Sequence, residues 1–282
     1  MVHHSTFWQH LVPQHLISRI TGKLANCKIV SIKNNLIRIF IERYHVDMQL
    51  AEEPDYTKYP SFNAFFTRAL KPGIRPITTE TNAIACPADG AVSQQGRIMA
   101  DRIFQAKEQD YSLESLLGGD ANVAATFRDG YFSTVYLAPK DYHRLHMPLS
   151  GKLREMIYIP GKLFSVNQAS AKHIPSLFAR NERVVALFEG ETGPFAMILV
   201  GAIIVASIET VWSGLVAPQR TRDIVRTSYT NSNIELKKGD EMGRFQLGST
   251  VIMLFSGKTV RWENNINANS PVVMGQKLGE IQ

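Results

Sequence analysis

Apolar positions change their rhythm once along this chain. Between residues 28 and 44, Ile29, Ile32, Leu36, Ile39 and Phe40 recur at helical spacing, with Lys28, Ser31, Asn34, Asn35, Arg38 and Glu42 between them. That pattern predicts an amphipathic helix. Another is predicted over 7–20, with Thr21-Gly22 as the break between the two and Pro13 acceptable only in its opening turn. A short helix capped by Ser61 is predicted over 60–70. From about residue 84 the pattern becomes short apolar or alternating segments, at 91–92, 131–137, 153–159, 184–188, 196–208 and 251–255, punctuated by Gly and Pro. These predict strands. The polar, basic stretch 218–238 reads as a surface loop or edge hairpin. The fold class expected is α+β: N-terminal amphipathic helices over 1–50, then one β-rich, mainly antiparallel domain over 51–282, with no internal repeat.

Composition narrows the class. A chain of 282 residues with 44% hydrophobic content has room for a sizeable core and carries no integral-membrane signature. Its longest nearly unbroken apolar stretch, from Phe195 to Ile208, is too short to span a bilayer as a helix. No secretory signal is read at the start. Cys27 and Cys86 form neither a metal pattern nor a disulfide framework, which fits a reducing cytoplasm. The net charge of +6 is concentrated early. Arg19, Lys23, Lys28, Lys33, Arg38 and Arg43 face only Glu42 and Asp47 in the first fifty residues. Without a nucleic-acid-binding motif, basic amphipathic helices point to an anionic membrane surface, or simply to a solvated cover on the core.

The chemistry starts near the C-terminus, where Leu247-Gly248-Ser249-Thr250 lies between a turn-rich segment and an apolar run. A serine hydroxyl placed there can attack the carbonyl of the residue before it, turning the amide into an ester. Loss of the Ser249 α-proton would expel the Gly248 carboxylate and leave a dehydroalanine. Hydrolysis then gives a pyruvoyl group heading a new chain. Gly248 suits the step, having no Cβ to resist a strained backbone. Such a reaction needs a base, and a carboxylate to orient it. Asp141-Tyr142-His143-Arg144-Leu145-His146-Met147-Pro148 offers two imidazoles, and Pro87-Ala88-Asp89-Gly90 offers a carboxylate. Each has a plain reading too. Gly-Ser-Thr is commonly a turn, Asp89 a turn-former bonding its own backbone, and the two histidines structural, or metal ligands lacking a third.

Together these segments resemble the phosphatidylserine decarboxylase family, pyruvoyl-dependent membrane enzymes. The resemblance covers nearly the whole chain, including Phe62-Asn63-Ala64-Phe65-Phe66-Thr67-Arg68, Pro160-Gly161-Lys162-Leu163-Phe164-Ser165-Val166-Asn167, Leu177-Phe178-Ala179-Arg180-Asn181-Glu182-Arg183 and the span from Val200 to Trp212. It implies self-cleavage between Gly248 and Ser249 into chains 1–248 and 249–282, with Ser249 becoming the pyruvoyl group. His146 would be the base, oriented by Asp89. His143 would face the substrate headgroup and serve decarboxylation, as carboxylate contact or proton donor, and Ser165 would bond the substrate phosphate or carboxylate. The pyruvoyl ketone would form a Schiff base with the lipid amine and take up electrons as carbon dioxide leaves, so neither metal nor pyridoxal phosphate is implied. The implied partners are phosphatidylserine in an anionic membrane and the two chains of one precursor, with a homodimer as a candidate assembly and no nucleic acid. The implied location is peripheral, on the cytoplasmic face of the cell membrane. Two other readings stay open: a serine hydrolase using Asp89, His146 and Ser249 on an external ester or amide, and a non-catalytic membrane-surface protein.

Overall fold

The apolar runs between Tyr131 and Phe255 become the inner strands of one antiparallel sheet. The computed structural model describes residues 14–106, 109–203, 207–219, 221–246, 249–257 and 259–282. Among them the largest sheet runs in the order Val225–Ser228, Gly151–Ile159, Arg183–Gly190, Gly193–Val200, Ser249–Phe255, Tyr131–Leu137, Gly90–Arg97 and Pro271–Val272. Glu235–Leu236 also pairs with Gly151–Ile159, so the 218–238 stretch does form edge strands. Ser249–Phe255 lies mid-sheet and is buried at every position. Its side chains alternate between two core layers. Val251 and Met253 join Val135, Leu145 and Met147, while Ile252 and Leu254 join Ile198 and Phe164. A strand covered on both faces needs no polar positions, hence the unbroken apolar run.

A four-stranded sheet stands beside it, in the order Gly214–Ala217, Ser207–Thr210, Glu241–Gln246 and Arg144–His146. Two of the crossings between these sheets carry the candidate residues. Tyr131–Leu137 continues through 138–143 into Arg144–His146, and Glu241–Gln246 continues through 247–248 into Ser249–Phe255. The pairing of Leu137 with Ser249 brackets both crossings at one end. At the other, the Phe245 N–H donates to the His143 carbonyl at 3.0 Å. The candidate histidines and the serine therefore belong to one junction.

Helices Gln14–Ala25, Val30–Tyr44 and Phe62–Phe66 form a layer around Ile37, Phe65 and Phe66, with the Phe40 and Phe62 rings 5.1 Å apart. This layer touches the junction directly. Asn63 Nδ2 donates to Asn26 Oδ1 at 2.8 Å and to Gln246 Oε1 at 3.3 Å, and the Phe66 ring lies 4.0 Å from that of His143. The expected α+β class and mainly antiparallel sheet are what the chain adopts, and Ser61 caps its short helix through the Ala64 N–H.

Two expectations are corrected. The first helix runs through Thr21-Gly22 and ends at Ala25. A helical glycine costs only about 1 kcal/mol, which burying Ala25 among the aromatic residues of the layer roughly offsets. The 7–13 part of that predicted helix lies outside the described residues. The run 196–208 is two strands in different sheets, Gly193–Val200 and Ser207–Thr210, because both sheets bury apolar residues and hydropathy cannot mark the change of partner.

Candidate active site

Ser249 opens the central strand with no exposed surface, and its Oγ has no hydrogen-bond partner among the described residues. Leaving a buried hydroxyl unpaired costs about 1–3 kcal/mol; the hydroxyls of Ser18, Tyr111, Ser133, Thr210 and Thr250 share that state, so position rather than the missing partner sets Ser249 apart. Strand alternation puts the Ser249 side chain on the face of Val251 and Met253. That layer also holds Ala88, Leu145 and Met147, the chain neighbours of Asp89 and His146. Gly248 lies outside the described residues.

His143 sits on the 138–143 crossing and is fully buried. Its Nδ1–H donates to the Asp141 carbonyl at 2.9 Å, leaving Nε2 with the lone pair and no partner among the described residues. Burial drives its pKa down to about 3; the Asp141 bond opposes this and the nearby Arg68 charge reinforces it. In His146, Nδ1–H donates to the Gly239 carbonyl at 2.8 Å, and Nε2 accepts the Tyr142 hydroxyl at 3.0 Å. Burial lowers its pKa as well, against the Gly239 bond and the Glu241 charge. Both imidazoles are thus held neutral with a lone pair on Nε2, the form a general base requires.

Asp89 is fastened near His146, since the His146 N–H donates to the Pro87 carbonyl at 2.9 Å. Its carboxylate is engaged elsewhere. It accepts Arg75 Nε at 2.9 Å, Arg75 Nη2 at 2.6 Å and the Met274 N–H at 2.8 Å. No described hydrogen bond joins Asp89 to His146, or His146 to Ser249. A cleft of about 200 Å³, lined by Arg68, Arg75, Asp89, Lys140, Asp141 and Tyr142, opens beside these groups. Sequence reasoning missed Arg75, which sits in an unremarked turn. It also passed over Tyr142, though the segment holding it was singled out.

Ser165 is half-buried on a segment pinned by Asn181. The Asn181 amide accepts the Phe164 N–H at 3.1 Å and donates to the carbonyls of Phe164 and Gly201, each at 2.8 Å. Gly201 follows Val200, the partner of Thr250, so Asn181 draws the Ser165 segment to the strand end where Ser249 stands. Leu163 N–H donates to Gln14 Oε1 at 2.8 Å, tying the same segment to the first helix. Between that helix and the sheets lies a cavity of about 1030 Å³, whose lining includes Lys23, Tyr158, Leu163, Glu182 and Arg222.

These pKa directions give a pH prediction. A base whose folded pKa lies below 6.5 is already neutral at and above that value. Precursor cleavage, followed by electrophoresis after a pH jump, should be flat from about pH 6.5 to 8 and slow only below it. Stability carries the same sign. The unfolded chain binds protons on His143 and His146 that the folded chain refuses, so stability rises with pH from about 3 to 6.5 and is lost as pH falls through that window. Urea midpoints at pH 7, 5.5 and 4 should fall in that order.

Comparison with known proteins follows the same residues. A family model described as phosphatidylserine decarboxylase matches residues 62–280, and a shorter one described as PSD matches residues 5–45. The chain is 56% identical over 277 residues to the phosphatidylserine decarboxylase proenzyme of Ectopseudomonas mendocina (strain ymp), covering 97% of this chain and 96% of that one. It is 56% identical over 273 residues to the proenzyme of the same description from Pseudomonas aeruginosa (strain LESB58), covering 96% and 94%. A third relative so described, from Pseudomonas putida (strain GB-1), is 56% identical over 275 residues, covering 96% of both chains.

Proposed function

The chain belongs to the phosphatidylserine decarboxylase family, and we propose that it cuts itself between Gly248 and Ser249 and then converts phosphatidylserine to phosphatidylethanolamine and carbon dioxide. One observation carries this reading: a buried serine hydroxyl, without a partner among the described residues, heads the central strand on the face shared by the Asp89 and His146 segments. The enclosed position of Ser249 also fits a pyruvoyl group made from it, which supplies an electron sink for the carbanion left as carbon dioxide departs. His146 takes the Ser249 hydroxyl proton on Nε2, once the Tyr142 hydroxyl yields that position. Asp89 orients the imidazole when its pair with Arg75 opens and the His146 Nδ1–H turns to it from the Gly239 carbonyl. His143 meets the headgroup. With Nδ1 committed as a donor and protonation disfavoured, its Nε2 suits accepting a hydrogen bond from the substrate headgroup. The Asn181-held segment presents Ser165 to the phosphate or carboxylate. The test is direct: carbon dioxide release from phosphatidylserine vesicles by a preparation shown to be cleaved.

A second assignment of the same chemistry is favoured by one observation. His143 is the imidazole whose Nε2 has no partner among the described residues, and it lies on the crossing that ends beside the Ser249 strand, whereas His146 is satisfied by Tyr142 and Gly239. Exchanging the two roles would make His143 the cleavage base.

We further propose that residues 1–50 hold the enzyme on the cytoplasmic face of the membrane. Among the described residues no helix is long and apolar enough to cross a bilayer. Leu36, Ile37 and Phe40 of Val30–Tyr44 pack inward, while Ile29, Val30, Ile32 and Ile39 remain exposed beside the exposed cations Lys28 and Arg38. Apolar and basic residues together on one surface suit an interfacial helix. Lys33 does not share that surface: it is buried and its Nζ donates to the Thr57 carbonyl at 2.8 Å, so it anchors the helix inward. The informative variant is therefore Lys28→Glu with Arg38→Glu. At about 1 kcal/mol per basic residue, it should weaken sedimentation with anionic liposomes at least tenfold while leaving cleavage intact.

A further inference from the structure

The hairpin formed by Ser207–Thr210 and Gly214–Ala217 carries an apolar tip that the site does not use. Its turn closes at Gly214, whose φ of +64° is a left-handed value that suits glycine. Trp212 folds back, its ring edge-on to Phe188 at 5.9 Å, which fixes the tip. Val211 and Leu215 point the other way and are 49% and 62% exposed. Gly214–Ala217 is the outer strand of its sheet and has no charged residue, where edge strands facing water commonly carry one.

Ile20 of the first helix is 60% exposed, and it lines the 1030 Å³ cavity together with Leu215. The same lining includes the exposed cations Lys23 and Arg222 and, further in, the buried Tyr158 and Glu182, whose side chains bond each other at 2.5 Å. The lining thus combines exposed apolar residues and exposed cations with a buried polar wall. A phospholipid entering head-first from a bilayer presents matching zones: chains at the rim, phosphate at the cations, polar headgroup inside.

We propose that the hairpin tip inserts into an anionic phospholipid bilayer beside Ile20, and that the cavity between them is the entrance for the lipid headgroup. Membrane contact then involves the β-domain as well as the N-terminal helices. The identity of the entering lipid rests on the decarboxylase reading; the insertion does not.

The test uses the full chain with Leu215→Cys in a Cys27→Ser background, labelled with an environment-sensitive fluorophore. Cys86 is buried and will not compete. With vesicles of phosphatidylglycerol and phosphatidylcholine, emission should shift to the blue and resist an aqueous quencher. The same label at Met99, 68% exposed and outside the cavity lining, should not respond. Leu215→Glu should weaken vesicle binding about tenfold, with self-cleavage, which involves no lipid, unchanged. A response at an Ile20→Cys label but none at 215 would overturn the proposal, leaving the helix to bind alone. So would light scattering in which Leu215→Glu breaks an oligomer while vesicle binding persists, because the edge would then pair with a second copy. A blue shift at 215 in a protein that never releases carbon dioxide would uphold insertion and sink the decarboxylase reading.

Discussion

Ser249→Ala should leave one chain of 282 residues and no decarboxylation, where the wild type shows chains 1–248 and 249–282. The change removes a single oxygen atom that has no described partner, so it should be neutral for the fold or stabilise it by up to about 1–3 kcal/mol. A raised or unchanged urea midpoint alongside complete loss of processing would separate chemistry from folding. The wild-type small chain should resist Edman degradation, because a pyruvoyl end has no amine. The alternatives are exposed by the same gel. An intact wild-type chain that hydrolyses esters would point to a serine hydrolase using Asp89, His146 and Ser249. An intact chain that only binds vesicles would point to a membrane-surface protein. Ser249→Thr keeps a hydroxyl but adds a methyl in a fully buried position; slow cleavage there, against none in Ser249→Ala, would tie the reaction to the hydroxyl itself.

How much of this was legible beforehand depends on the range of the interaction. Ser61 bonding the Ala64 N–H and the 131–137 strand are local matters of capping and alternation, and the sequence shows them. The partition of 196–208 into two sheets depends on partners tens of residues away, and both environments select the same apolar side chains. The site divides in the same way. Asp89, His143, His146 and Ser249 stand out because their chemistry is unusual in their segments; Asp89, His143 and Ser249 prove buried and His146 half-buried. Their present partners do not stand out. Arg75 holds Asp89 across fourteen positions, Gly239 uses only a backbone carbonyl, and Asn181 acts by bonding main chain. Lys33 is the opposite error, a cation counted toward the basic membrane-facing surface and turned inward by one carbonyl on a neighbouring segment.

The two histidines should separate into different steps, and volume-conserving substitutions make the comparison clean. His146→Gln should accumulate precursor, as should Asp89→Asn, with cleavage slowed roughly 10²–10⁴-fold, the range over which a positioned base and its orienting partner act. His143→Gln should still cleave yet lose decarboxylation by about 100-fold or more. Glutamine keeps a carbonyl and an amide at each site, so the Tyr142 and Gly239 bonds of His146 and the Asp141 bond of His143 can in part be replaced. Alanine at 143 would instead leave a hole beneath Phe66 and mix packing with chemistry. Tyr142→Phe sharpens the result. It frees the His146 Nε2 without moving the ring, so cleavage should hold or quicken if His146 is the base, and should be indifferent if it is not. Precursor accumulating in His143→Gln, with His146→Gln processed normally, would transfer the base role to His143. Its unpaired Nε2 beside the Ser249 crossing would then be its functional signature, and the His146–Tyr142 bond a purely structural tie between the 138–143 crossing and the strand that follows it.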